Sequence, residues 1–202
     1  MPTGVAIRDV RQQLFDAADR ILLRDGPSAL TSRALTTEAG CAKGVLHRHF
    51  TDFDDFLAQY VLDRVDRMAP QATALREAAG TGAVADNLAD ALKAVFESVA
   101  VAIVALVTFR DELRARLRQT WPAGVPVLTE AATMIGTYLR AEQEIGRITA
   151  DADPDTLAAM LIGSAHLLYA DRTGTPPDTA AVRKVVDGVL TAAAAHRHGG
   201  RR

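Results

Sequence analysis

Between Thr31 and Phe50 the chain reads Thr-Ser-Arg-Ala-Leu-Thr-Thr-Glu-Ala-Gly-Cys-Ala-Lys-Gly-Val-Leu-His-Arg-His-Phe, two short helical stretches parted by a glycine. Few folds accommodate that arrangement. Gly40 follows the helical run from Ser32 to Ala39 and can take the positive φ that a sharp interhelical turn requires. A turn that tight makes two short helices cross. Leu35 points inward from the first helix, and Leu46 and Phe50, four apart on the second, share a face directed at the same small core. The opposite face keeps Lys43, Gly44, Val45, His47 and Arg48. Cationic donors, an apolar side chain and a glycine that permits close approach suit phosphates and major-groove base edges. The segment reads as a helix-turn-helix and points to double-stranded DNA.

Composition narrows how such a reader would work. The 202 residues, 49% of them hydrophobic and 5% aromatic, suffice for one large helical core or two modest domains. A formal net charge of −2 excludes a general polyanion binder, so affinity for DNA must come from a local patch. From Thr31 to Phe50, Arg33, Lys43 and Arg48 stand against Glu38, with His47 and His49 in addition. A patch this modest implies salt-sensitive binding and two copies of the surface for specific recognition.

The single cysteine, Cys41, excludes an internal disulfide and reads as a small packed residue in a reducing cytoplasm. No secretory signal is evident at the amino end, and the apolar run Val99 to Phe109 is shorter than the roughly 18 residues of a membrane span. No membrane partner is expected. Five histidines and one cysteine show no spacing for nucleophilic catalysis. There is neither a glycine-rich phosphate loop nor paired Cys/His metal spacing. His196 and His198 read as part of a solvated tail, so no metal, no cofactor and no enzymatic activity are expected.

Periodicity predicts an all-α chain of about nine helices. The first starts near Val5 or Ile7, presents Ile7, Val10, Leu14, Ala18, Ile21 and Leu22, and stops at Asp25-Gly26-Pro27. Arg8 and Arg11 read as part of its solvated face. After the helix-turn-helix, Asp52 can cap a fourth helix running to about Met68 and ended by Pro70. One long helix is predicted from Val84 to about Val107, then shorter ones over Arg110–Gln119 and Val125 to about Ile145. Pro154 opens a helix reaching Arg172, and the last runs from Asp178 to about Ala195.

The stretch Gly40-Cys41-Ala42-Lys43-Gly44-Val45-Leu46-His47-Arg48-His49-Phe50 resembles the signature of the tetracycline-repressor (TetR) family, Gly-Val-Ser-Lys-Gly-Thr-Leu-Tyr-x-His-Phe. With the flanking helices the resemblance covers about the first third of the chain. It implies an all-helical, homodimeric transcriptional regulator, while the excess of arginine over lysine, 20 to 3, and abundant alanine suit a bacterial source and Cys41 a cytoplasmic one. Residues 1–51 would form a three-helix DNA-binding domain, and residues 52–202 a helical bundle for ligand sensing and dimerisation. Carried over by position, the family's DNA contacts fall on Ser32, Lys43, Gly44, His47, Arg48 and His49, with Val45 facing bases and Arg33 assisting. The family's habit further implies a repressor released from an inverted-repeat operator by a small effector.

Three departures bear on that expectation. Ala42 replaces a serine able to cap the recognition helix, a loss of about 1 kcal/mol. His47 replaces a tyrosine, and Phe53 stands where a lysine commonly meets the DNA backbone. Ala42 and Phe53 keep an alternative open, a helical interaction protein of the same fold without sequence-specific DNA binding.

Two expectations concern the body. Leu157, Leu161, Ser164 and Leu168 on one helix and Val182, Val186, Val189 and Leu190 on the next form wide apolar stripes, predicting a twofold four-helix interface through the last two helices. Phe96, Trp121, Met134, Tyr138, His166 and Tyr169 are the candidates for lining a pocket. Tyr138 and His166 are singled out among these for polar atoms that would orient a small, largely apolar ligand.

Overall fold

A computed structural model describes residues 10–42, 44–170 and 176–195; Ile7, Arg8, Lys43, Arg172, His196 and His198 lie outside the described residues. The described residues form eleven α-helices and one 3-10 turn, with no strand. None of these helices alone is long and apolar enough to cross a membrane. Packing divides the chain into two units, residues 1–64 with 102–125 and residues 65–101 with 126–202. A segment far downstream in sequence thus folds with the amino-terminal helices.

The first unit contains α1 (Val10–Arg24), the 3-10 turn (Pro27–Ala29), α2 (Ser32–Glu38), α3 (Gly44–His49) and most of α4 (Phe53–Asp66). Its core follows from helical spacing: Leu14, Ala18, Ile21 and Leu22 of α1 bury against Leu35, Leu46, Phe50, Phe56, Leu57 and Val61. Rings supply much of its volume. Phe15 lies 6.1 Å from Phe50, 5.7 Å from Phe56 and 5.8 Å from Tyr60 between centroids, and Phe50 meets Phe56 edge-on at 5.1 Å. Such tilted and edge-to-face pairs add to simple burial.

One polar cluster threads this apolar core. The Tyr60 hydroxyl donates to Asp19 Oδ1 at 2.6 Å, and Arg64 donates to Asp19 Oδ2 at 2.5 Å. Burial and the Asp19 carboxylate hold the Tyr60 phenol far above its ordinary range, fixing it as a donor. The cluster bolts α1 to α4 and so sets the frame on which α2 and α3 sit.

The second unit contains α5 (Ala69–Glu77), α6 (Val84–Phe96), α9 (Pro126–Glu144), α10 (Pro154–Tyr169) and α11 (Thr179–Ala195). Within it α9 packs on α5, α6 and α10, and α11 packs on α6 and α10. Glu142 is fully buried. Its Oε1 accepts from the Gly80 backbone at 3.3 Å and its Oε2 lies 3.3 Å from Arg147, so the charge is paired.

Two sequence expectations need correction, and together they raise nine helices to eleven. Pro70 does not merely end a helix; it occupies the first turn of α5, where its missing N–H costs nothing. The single helix expected from Val84 to Val107 is instead two, α6 followed by α7 (Ala100–Phe109). Ser98 causes the break: its Oγ accepts from the Ala100 backbone at 3.2 Å and donates to the Val95 carbonyl. A serine there caps a new helix more readily than it continues an old one.

Candidate nucleic-acid interface

The turn between α2 and α3 has a defined chemistry. Thr31 Oγ1 accepts from the Ala34 backbone at 3.1 Å and starts α2. At its end Gly40 has φ +64°. Gly40 N donates to the Thr37 carbonyl at 3.1 Å and Cys41 N to the Thr36 carbonyl at 3.0 Å. These are the paired bonds of a Schellman motif, which needs the left-handed conformation at the glycine. The Gln13 amide donates to the Ala39 carbonyl at 2.7 Å, tying α1 to the same corner. Burial pushes the Cys41 thiol up, away from the reactive thiolate.

With Leu35, Leu46 and Phe50 buried, the outer face of α3 is fixed. Gly44, His47, Arg48 and His49 are exposed there, as is Arg33 on α2, while Ser32 and Val45 are half-buried. Among the described residues neither the His47 nor the Arg48 side chain makes a hydrogen bond or ion pair. A Cβ added to Gly44 would meet nothing within 4 Å, so packing within the chain does not demand a glycine there. Exposed cations beside an uncrowded backbone are available to an approaching phosphate.

Two arginines that sequence reasoning passed over make the patch more positive. Arg20 Nε lies 2.7 Å from Glu38, and Arg24 lies 3.1 Å from the same carboxylate. The hydrogen bond from Arg20, then that from Arg24, holds the Glu38 carboxyl below its usual range. The one acid between Thr31 and Phe50 is thereby balanced from α1. The spacing of Arg20 and Arg24 marked a shared helix face but could not reveal the partner 18 and 14 residues on.

Arg11 also departs from expectation. It is half-buried, not on a solvated face. Its guanidinium lies 5.1 Å from the Phe50 ring centroid and 6.0 Å from that of Phe15, and donates to Gln59 at 2.6 Å. Its charge is spent on the ring cluster.

Five of the six pocket candidates lie in the second unit and Trp121 in the first. In the second unit Phe96 stacks on Tyr169 at 5.6 Å and lies 6.1 Å from the His166 ring. His166 Nδ1 and the Tyr169 hydroxyl are buried there without a hydrogen-bond partner among the described residues. The Tyr138 hydroxyl accepts from Asn87 at 3.0 Å. Burial first, then Glu142, pushes its pKa up to about 12. Met134 lines two open clefts of the second unit. One, of about 280 Å³, runs along Leu75, Ala78, Asn87, Ala91 and Ala94; the other, of about 600 Å³, along Thr73, Arg76, Glu130, Thr133 and Thr137. Trp121 is half-buried in the first unit.

Of the eight residues expected at a subunit interface, Leu157, Leu161, Val182, Val186 and Val189 are buried against helices of their own unit. Ser164, Leu168 and Leu190 are half-buried. Periodicity identifies an apolar face but not the neighbour that covers it. The surface left open on α10 carries Met160, 44% exposed, Leu167, 78% exposed, and Gly163; Gly188 is open on α11.

Residues 14–60 match the family model of bacterial regulatory proteins, tetR family. An uncharacterized HTH-type transcriptional regulator of Haemophilus influenzae is 35% identical over 52 residues, a match spanning 26% of this chain and only 28% of that relative. Two solved structures share the fold over nearly their whole length. The transcriptional regulator FadR from Bacillus subtilis, in complex with stearoyl-CoA, superposes with TM-score 0.66 at 14% identity, covering 89% of this chain and 97% of that one. For a TetR-family regulator from Rhodococcus the values are 0.66 and 19%, covering 92% and 99%.

Proposed function

From the match of residues 14–60 to the tetR family of bacterial regulatory proteins, we propose that this chain is a TetR-family transcriptional regulator whose paired copies read an inverted-repeat DNA operator. The observation that carries this is the outer face of α3: His47, Arg48 and His49 exposed on a helix whose other side is locked into a core, with the family match running through those residues. In this reading residues 1–51 hold the DNA contacts, namely Ser32, Arg33, Lys43, Gly44, Val45, His47, Arg48 and His49. Residues 52–202 sense and dimerise, and the protein acts in the cytoplasm as a repressor.

The test is titration of duplex fragments from upstream of its own gene. Saturable, sequence-dependent retardation that weakens with salt is expected. No retardation even at low salt would favour the interaction-protein reading, which the acidic stretch Asp52 to Asp55 supports.

The dimer forms, in this reading, through α10 and α11, with the contact centred on Met160, Gly163, Leu167 and Gly188. A Cβ at either glycine would meet nothing within 4 Å among the described residues, leaving room for another backbone to approach. Leu167→Glu should therefore yield monomers in light scattering with little change in the protomer's melting, because that side chain is 78% exposed. Val186→Asp should instead unfold the second unit, since Val186 is 0% exposed. A Leu167→Glu protein that remains dimeric would move the interface elsewhere.

The effector is proposed to be small and largely apolar, seated in the cleft along Leu75, Ala91, Ala94 and Met134, with Asn87 at its polar edge. FadR of Bacillus subtilis, which shares the fold, was solved in complex with stearoyl-CoA, a ligand with a long apolar part. Release from DNA requires only that the effector bind one of two arrangements more tightly than the other.

A further inference from the structure

The start of α4 is an electrostatic obstacle to the proposed function. Asp52, Asp54 and Asp55 are three carboxylates within four residues. Asp52 follows His49, the last residue of α3, by three positions, at most about 11 Å along an extended chain. That is close to the screening length of about 8 Å at physiological salt. Left uncompensated, these charges would repel phosphates approaching the outer face of α3.

Two of the three are met from α8 (Asp111–Thr120) and the residue before it, all within the first unit. Arg110 lies 3.0 Å from Asp54 Oδ1 through Nη2 and 3.1 Å through Nε. Arg116 Nη2 pairs with Asp52 Oδ2. Phe53 supplies a platform: its ring stacks on Phe56 at 5.8 Å, and the Arg110 guanidinium lies 5.4 Å from its centroid. The residue that displaced a lysine thus seats an arginine supplied from elsewhere. Asp55 is engaged locally, accepting from the Thr51 backbone and the Gln59 amide, both at 2.8 Å.

Stability does not account well for these pairs. Side-chain exposures are 36% and 25% for Arg110 and Asp54, and 37% and 45% for Arg116 and Asp52, and ion pairs that open to water contribute little to folding. Cancelling charge acts over a longer range, on a polyanion still approaching.

Resting on the DNA-binding reading above, we propose that Arg110 and Arg116 are positioning residues for DNA binding: they neutralise Asp54 and Asp52 beside the recognition helix, letting the amino end of α4 sit near a phosphate backbone. They act through the aspartates and not by touching DNA.

A charge-removal cycle tests this, with duplex affinity measured by fluorescence anisotropy from 50 to 250 mM salt. Asparagine keeps the capping role of Asp52, whose Oδ1 accepts from the Asp55 backbone at 2.8 Å. Arg116→Gln should weaken binding about tenfold at 50 mM salt and less at 250 mM. Asp52→Asn alone should bind at least as well as the parent, and the double variant should recover the parent's affinity. The cycle of Arg110→Gln with Asp54→Asn should repeat the pattern, and circular dichroism confirms that each variant is folded. A double variant as weak as Arg116→Gln would show that the arginine touches DNA itself. Asp52→Asn as harmful as Arg116→Gln would reduce the pair to a structural tie. Unchanged affinity in both arginine variants would also overturn the proposal. A parent protein that binds no duplex would defeat the DNA reading first.

Discussion

Arg48→Ala should lower affinity for a duplex operator about a hundredfold while leaving helix content and dimerisation intact. Arg48 is exposed on the outer face of α3, and among the described residues it has no intramolecular partner whose loss would disturb the fold. Leu46, which anchors the helix, is buried and untouched. An arginine contact to a base edge or phosphate contributes about 1–3 kcal/mol, and the proposed dimer would carry it twice. Anisotropy titrations against several duplexes distinguish the two kinds of contact. A base contact predicts relaxed preference at one position of each half-site; a phosphate contact predicts uniform weakening and a shallower salt dependence. Equal affinity for parent and variant would mean that another face of the head reads DNA.

Asp19→Ala should cost about 3 kcal/mol of stability in chemical denaturation, a large share of the roughly 5–15 kcal/mol typical of a folded domain. The substitution takes a partner from two groups at once. Tyr60, 0% exposed, loses the acceptor for its hydroxyl, and Arg64, with a side chain 9% exposed, loses its 2.5 Å partner. Asp63, 2.8 Å from Arg64, keeps the penalty below that of an isolated buried charge. Tyr60→Phe removes one donor and leaves the Asp19–Arg64 pair, so about 1 kcal/mol is expected there. A loss below 1 kcal/mol for Asp19→Ala would show that the cluster is hydrated and contributes nothing to holding α1 on α4. DNA affinity should fall with it, because α2 and α3 rest on that frame.

Local chemistry made the head legible. Gly40 needs a positive φ, Leu35, Leu46 and Phe50 define one face by spacing, and Asp52 caps α4 as its position predicts. What escaped the sequence was set by partners distant along the chain. Glu38 counts as a negative charge until Arg20 and Arg24 are seen against it. Phe53 looks like the loss of a cation until Arg110, 57 positions later, is found over its ring. The body was less legible for a different reason. The apolar run around Val99 hid the Ser98 break, because hydrophobicity continues through a bend. On α10 and α11 the widest stripes mark residues buried at home, leaving the outward face to glycines, Met160 and Leu167, whose pattern is faint.

Selection of bound duplexes from a random-sequence pool, at a salt concentration that suppresses nonspecific attachment, tests the paired-reader proposal most directly. Two copies of α3 held by one dimer should enrich an inverted repeat, with half-site centres separated by about one helical turn, 34–36 Å, or a multiple of it. Recovery of single half-sites, or of sequences no different from the starting pool, would contradict it.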